Sequence, residues 1–329
     1  MLQYIGRRLL MLIPTLIAIS IISFVIIQLP PGDFLTAYLG QLRTTGTELD
    51  ESEIAAMRVR YGLDTPIYVQ YAKWMWGVLH GDFGMSFLWN KPVSELIGER
   101  LALTFVISLT TLMVTWIIAL PIGVYSATHQ YSVGDYFFTA ISFIGKGIPD
   151  FMIALILMWI ALSKFGVSAG GLFSSAYREA PWSMAKVWDL LKHLWVPTIV
   201  LGLGGTAGLI RVMRANLLDE LHKPYVNTAR AKGLTERRTL WKYPVRLALN
   251  PFVSTVGFSL PGLISGATII SVVLNLPTNG PLMLGALTSQ DMYLAGSFVL
   301  ILSAATVIGT FISDILLAWL DPRIRLGRS

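Results

Sequence analysis

Residues 9–32, 101–134 and 247–290 contain no Asp, Glu, Lys or Arg. A hydrocarbon core takes roughly 20 apolar residues as a helix, so each run is long enough to cross a bilayer, and the last is too long to cross only once. The pattern predicts six spans, over residues 9–29, 101–128, 136–163, 195–210, 252–274 and 292–320. Lys146, Pro149 and Asp150 interrupt the third, and the fourth is short and glycine-rich. Its Gly202, Gly204, Gly205 and Gly208 suit close contact between helices. The fifth stops short of Pro277 and Pro281, which favour a non-helical turn. The first run is longer than the apolar region of a signal peptide and lacks a small-x-small cleavage site, which favours an uncleaved span.

Residues 30–100 separate the first two spans and carry helix signals of their own. Asp50 followed by Glu53 has the spacing of a capping box. Thr65-Pro66 reads as an N-cap and first helical residue. Ile67, Tyr71, Trp74 and Val78 then share a helical face, and Gly81 marks the stop. Two short helices over the mouth of a path are expected here, with a plain tether as the alternative.

Composition fits a chain whose solvent is lipid. Of 329 residues, 54% are hydrophobic and 13% charged, against about 25% charged in soluble domains. The net charge of +6 therefore reads as topology, and no nucleic-acid partner is expected. Nine Lys and Arg lie from Arg211 to Arg246, whereas the longer segment from Arg43 to Arg100 holds six. The positive-inside rule then places residues 211–246 and both termini in the cytoplasm. Cysteine is absent and the four histidines are scattered, so no metal site is expected. There is no phosphate-binding loop, H-E-x-x-H or G-x-S-x-G motif. No catalytic residue and no cofactor is expected in this chain.

Three groups of residues invite a role. Lys146 and Asp150 are four apart; they read either as a neutralised pair beside a Pro149 kink or as polar lining of a cavity. Ser271, Asn275, Thr278, Asn279 and Gln290 could line a path or satisfy a broken backbone. In the basic island, Pro224 can open a helix and Gly233 close it, with Tyr225, Ala229 and Lys232 on one face. Arg230, Lys232, Arg237, Arg238, Lys242 and Arg246 surround it with positive charge, which also fits a loop resting on lipid headgroups.

The stretch YVNTARAKGL at residues 225–234 resembles the EAA loop of ABC-importer permeases, in the form found in the dipeptide/oligopeptide/nickel permease family. RRLLMLIPTL followed by PPGD, YGLDTPIYVQYAKW, GDFGMSF and the closing DPRIR resemble that family in the same order, so the likeness covers nearly the whole chain. It implies an all-α integral membrane protein with six transmembrane helices of the ABC importer permease type and an extracytoplasmic helical insert after the first. The corresponding division is 1–30 for the first helix, 31–100 for the insert, 101–322 for the core with its coupling loop at 211–246, and 323–329 for a cytoplasmic tail. The resemblance also implies that Tyr225, Ala229, Arg230, Ala231, Lys232 and Gly233 couple to an ATPase. Its implied partners are a second, related permease chain, two ATP-binding-cassette ATPase subunits that use ATP and Mg, and an extracytoplasmic binding protein, in a bacterial or archaeal inner membrane. Two features depart from the peptide branch. Ser271 stands near the place of a usual Glu, and Pro30-Pro31 precedes Gly32-Asp33 where one proline is commoner. Oligosaccharides therefore stand beside peptides as expected cargo. A secondary transporter working without ATP, an intramembrane enzyme and a passive scaffold are the rival readings.

Overall fold

The computed structural model describes residues 2–29, 34–44, 50–60, 62–166, 170–250, 252–253 and 268–320. The PPGD and DPRIR motifs lie outside them, as does most of the expected fifth span. By contact the chain groups into two compact units, Met1–Thr104 with Thr278–Ala305, and Phe105–Pro277 with Thr306–Ser329.

Two long helices belong wholly to one unit: α1 (Leu2–Gln28) to the first and α9 (Trp195–Leu221) to the second. Two others, α5 (Val93–Thr128) and α15 (Met292–Leu320), contribute residues to both. These four are long and apolar enough to cross a membrane. A fifth crossing would be the pair α6 (Val133–Gly147) and α7 (Asp150–Phe165).

That pair corrects one expectation. Lys146 and Asp150 do not share a helical face, because the two helices meet at a bend of 100°. Ile148 and Pro149 are both extended there, as expected of a residue that precedes proline. Lys146 and Asp150 are each exposed and form no ion pair with one another; Asp150 opens α7, where the helix dipole favours an anion. The neutralised pair is therefore not formed.

In the first unit, α2 (Phe34–Thr44), α3 (Glu51–Arg60) and α4 (Ile67–Leu79) form the insert. Glu53 Oε2 accepts from the Asp50 amide at 3.3 Å, which is one arm of the expected capping box. Thr65 does not cap α4: Pro66 occupies the N-cap, and the Thr65 hydroxyl donates to the Gly62 carbonyl instead. Trp74 is buried among Phe24, Phe34, Phe87 and Met292. Its ring stacks on Phe24 at 5.7 Å and its indole N–H donates to Ser297. Ile67, expected on the same face, is exposed. The loop after α4 is fastened by Asp291, which is fully buried just before α15. Its carboxylate accepts from the Ser86 hydroxyl at 2.6 Å and from the amides of Leu88 and Leu294.

In the second unit α9 packs against α5 and α6 through small residues. A Cβ at Gly123 would lie 2.6 Å from Met213 Cβ, and one at Gly202 would lie 3.1 Å from Thr115 Oγ1. Among the described residues nothing lies within 4 Å of a Cβ placed on Gly208. The core here joins Ala119 and Val124 of α5 to Ile210, Met213 and Leu217 of α9 and to Val245, Ala248 and Phe252 beyond.

Candidate functional site

After α9 the chain turns into three short helices, α10 (Pro224–Ala231), α11 (Glu236–Lys242) and α12 (Pro244–Ala248). Pro224 stands at the first helical position of α10, where its missing N–H costs nothing. The helix ends on Gly233, whose φ is +79°. The amides of Gly233 and Leu234 bond back to the carbonyls of Arg230 and Ala229 at 2.9 and 3.2 Å, completing a Schellman closure. A Cβ on Gly233 would meet nothing within 4 Å. Glycine is thus required there by backbone angle and not by crowding within this chain.

Burial divides the six residues the resemblance singles out. Val226 and Ala229 face inward. Tyr225 is half-buried; its ring lies 6.3 Å from that of Tyr243 and its hydroxyl donates to Glu220 Oε2 at 2.6 Å. Burial and the Glu220 carboxylate push the phenol well above its ordinary pKa, so it stays a donor at any physiological pH. Arg230, Ala231, Lys232 and Gly233 are exposed, together with Asn227 and Thr228. The Arg230 guanidinium is met by both Glu236 oxygens at 2.9 and 3.1 Å. Tyr225 and Ala229 therefore do not share an outward face with Lys232. They hold α10 to its own chain, while Arg230, Ala231, Lys232 and Gly233 lie on its exposed side. Tyr225 thus joins α10 to the last turn of α9 and to Tyr243 at the start of α12, and Val245 and Ala248 of α12 pack with Met213 and Leu217 of α9.

A contact that the sequence reading passed over lies one helix away. Asp135 is 2% exposed at the start of α6 and receives Arg214 of α9 bidentately, Nε on Oδ1 at 2.9 Å and Nη2 on Oδ2 at 2.8 Å. Tyr131 N donates to Oδ2 as well, and the Ser132 hydroxyl caps the helix by accepting from Asp135 N. The signal was present as Ser132-x-x-Asp135 ahead of an apolar run.

The polar residues near the fifth span fall into two classes. Asn275 and Gln290 both have positive φ, 50° and 54°. Each follows the last turn of a helix, α13 (Thr268–Val273) and α14 (Asn279–Thr288). Their amides and the next ones bond back as around Gly233: Asn275 and Leu276 to Val272 and Ser271, Gln290 and Asp291 to Leu287 and Ala286. They are helix terminators. Ser271, Thr278 and Asn279 are buried, and their side-chain polar atoms have no partner among the described residues; the Asn279 amide donates to Thr104 Oγ1 at 3.1 Å. Buried unsatisfied groups of this kind are costly in a dry interior, which suits positions that meet water or a solute. Among the described residues, no group of three His, Asp or Glu side chains could hold a metal ion.

Residues 119–326 match the family model of binding-protein-dependent transport system inner membrane components, and residues 1–110 match the model of the N-terminal part of such membrane components. The chain is similar to the oligopeptide transport system permease protein AppB of Bacillus subtilis, 37% identical over 98% of this chain and 99% of that one. It is 31% identical to the dipeptide transport system permease protein DppB of Alkalihalophilus pseudofirmus, over 99% of this chain and all of that one. It is also 31% identical to the glutathione transport system permease protein GsiC of Salmonella typhimurium, over 99% of each. A solved chain of the methionine ABC transporter MetNI, in an inward-facing conformation, has a like fold at a TM-score of 0.50 and 16% identity, over 69% of this chain and 96% of that one.

Proposed function

The chain belongs to the family of binding-protein-dependent transport system inner membrane components, and on that premise we propose that it forms one half of a peptide path driven by ATP hydrolysis on separate subunits. It is a permease subunit of an ABC importer of the bacterial inner membrane. Peptides are the cargo we favour over oligosaccharides, because relatives covered end to end are named for oligopeptide, dipeptide and glutathione transport.

The observation that carries the mechanism is the exposed, glycine-closed end of α10, set in positive charge and tied through Tyr225 to Glu220 of α9 and to Tyr243. In this reading two ATPase subunits, holding ATP and Mg, each engage one such end, here the surface from Arg230 to Gly233. A second, related permease chain presents the other. Closure of the ATPase pair displaces α10, and α9 moves with it because Tyr225 bonds Glu220 of α9 and lies against Tyr243, beyond which Val245 and Ala248 pack on Met213 and Leu217. The ATPase shifts the balance between inward-open and outward-open forms only as far as it binds them differently. An extracytoplasmic binding protein delivers peptide to the outward-open form, and Ser271, whose hydroxyl has no partner among the described residues, and Asn275 are the uncharged polar candidates for its path. Lys146 and Asp150, exposed on either side of the α6–α7 bend, are the charged candidates for the same path.

The test is reconstitution of the whole importer in proteoliposomes, measuring peptide uptake and ATP hydrolysis together. Gly233→Val forces a branched residue into a left-handed backbone, a cost of about 1–2 kcal/mol, and Lys232→Glu inverts charge on the exposed surface. Each is expected to lower uptake per ATP several-fold while the protein still inserts. Normal coupling in both variants, or uptake with the ATPase subunits left out, overturns the reading.

A further inference from the structure

Between α7 and α9 a strap, residues 170–183, leads into the short helix α8 (Met184–His193), and the polarity of α8 is inverted. Its inward face carries Lys186, Asp189 and Leu190, all buried. Lys186 donates to the Ala180 carbonyl and lies 5.1 Å from the ring centres of both Phe173 and Trp182. Asp189 accepts from the amide and the hydroxyl of Ser174. The outward face carries Met184, Val187, Trp188 and Leu191, with Met184 85% and Trp188 62% exposed. A helix that meets water turns its charges out and its apolar residues in. This one buries Lys186 and Asp189, whose partners lie in the strap, and turns Met184, Val187, Trp188 and Leu191 out.

We propose that the outward face of α8 is seated in lipid, at the membrane surface opposite the α10 island. Only Leu194 separates α8 from α9. The 27 residues of α9 extend about 40 Å at 1.5 Å per residue, longer than a hydrocarbon core of about 30 Å. Its two ends therefore lie at opposite membrane surfaces, with α8 at one and α10 at the other. The apolar stripe continues onto the span itself, where Trp195 and Ile199 are also exposed. Tryptophan favours the headgroup level, and Trp182, Trp188 and Trp195 are all exposed here. Lys192 borders the stripe, where its stem can lie along lipid with the ammonium in water. An amphipathic helix in this position buries its apolar face about 5–10 Å into the interface. The anchor has a load to hold: Gly171 N of the strap donates to the Leu274 carbonyl at 2.7 Å, at the end of α13 beside Ser271 and Asn275. Lipid seating of α8 would thereby position the strap against the proposed path. The seating itself requires only that the chain spans a membrane, so it can stand if the peptide reading fails.

The chain has no cysteine, so single-cysteine variants report without background. Val187→Cys, Trp188→Cys, Leu191→Cys and, off the stripe, Ala185→Cys carry a nitroxide label in the assembled importer, held in nanodiscs of phosphatidylethanolamine and phosphatidylglycerol. Relaxation by oxygen, which partitions into lipid, is compared with relaxation by a water-soluble nickel chelate. Oxygen is expected to dominate at 187, 188 and 191, with the ratio several-fold lower at 185. Dominance of nickel at all four positions would show a water-facing helix. Immobile labels shielded from both agents at 187, 188 and 191 would show a protein covering the face. Either result overturns the proposal.

Discussion

Asp135 shows what a single charge demands once it is buried. Its carboxylate takes both arms of Arg214 and the Tyr131 amide, so the ion pair is balanced and oriented. Removing Arg214 alone leaves that charge uncompensated, which costs about 3–5 kcal/mol at a buried site. Arg214→Met is therefore expected to lower the thermal stability of the detergent-solubilised protein sharply. The double variant Asp135→Leu with Arg214→Met should recover most of the loss, because no charge then remains to be desolvated. Additive losses in that cycle would mean the pair is not coupled. Asn275 and Gln290 teach a different lesson at the same scale. Their side chains read equally as path lining or as partners for a broken backbone, and their backbones, at φ of 50° and 54°, end helices. Asparagine tolerates that conformation better than most residues, and no side-chain pattern distinguishes the two uses.

At the scale of elements, closure is repeated. The ends of α4, α10, α13 and α14 each bond two amides back onto the last turn, around Gly81, Gly233, Asn275 and Gln290. Gly81 and Gly233 were legible because glycine is the default residue at positive φ; the other two were not. The bend between α6 and α7 was half legible. Pro149 forecast an interruption, but a kinked helix and a 100° break share one sequence signature. Packing of α6 and α7 against α9, where a Gly145 Cβ would meet Leu203 at 3.0 Å and a Gly204 Cβ would meet Asp150 at 3.8 Å, selects between them. The loop fastened to the start of α15 carries a pH prediction. Burial raises the pKa of Asp291, partly opposed by the bonds from Ser86, Leu88 and Leu294. A folded-state pKa above the unfolded one means that its contribution to stability is full below the unfolded value and lost as pH rises through the folded value. Asp291→Asn is expected to remove that fall from the pH dependence of melting. An unchanged profile would place the titration elsewhere.

For the whole molecule, the prediction concerns sides. The two ends of α9 carry α8 and α10, so a membrane-impermeant maleimide applied to sealed vesicles should label Ala185→Cys, off the apolar stripe of α8, and Lys232→Cys from opposite faces. With the positive island inside, intact cells should expose position 185 and inverted vesicles position 232. Labelling of both from one side would break the topology on which the coupling proposal rests. Either outcome is independent of cargo, since sidedness follows from the length of α9 and the distribution of charge.

Alone, the order of residues settled the solvent, the α-helical class and the ends of several spans, because a membrane helix must keep about 20 residues free of charge and that demand is written locally. It also carried the family likeness, through motifs spaced along the chain. It could not say which face of α10 turns outward, that Asp135 and Arg214 meet across 79 positions, or that α8 hides Lys186 and Asp189 and displays Trp188. Those are decided by which helix lies beside which, and a hydrogen bond or a buried face exists only once a distant segment has arrived to make it.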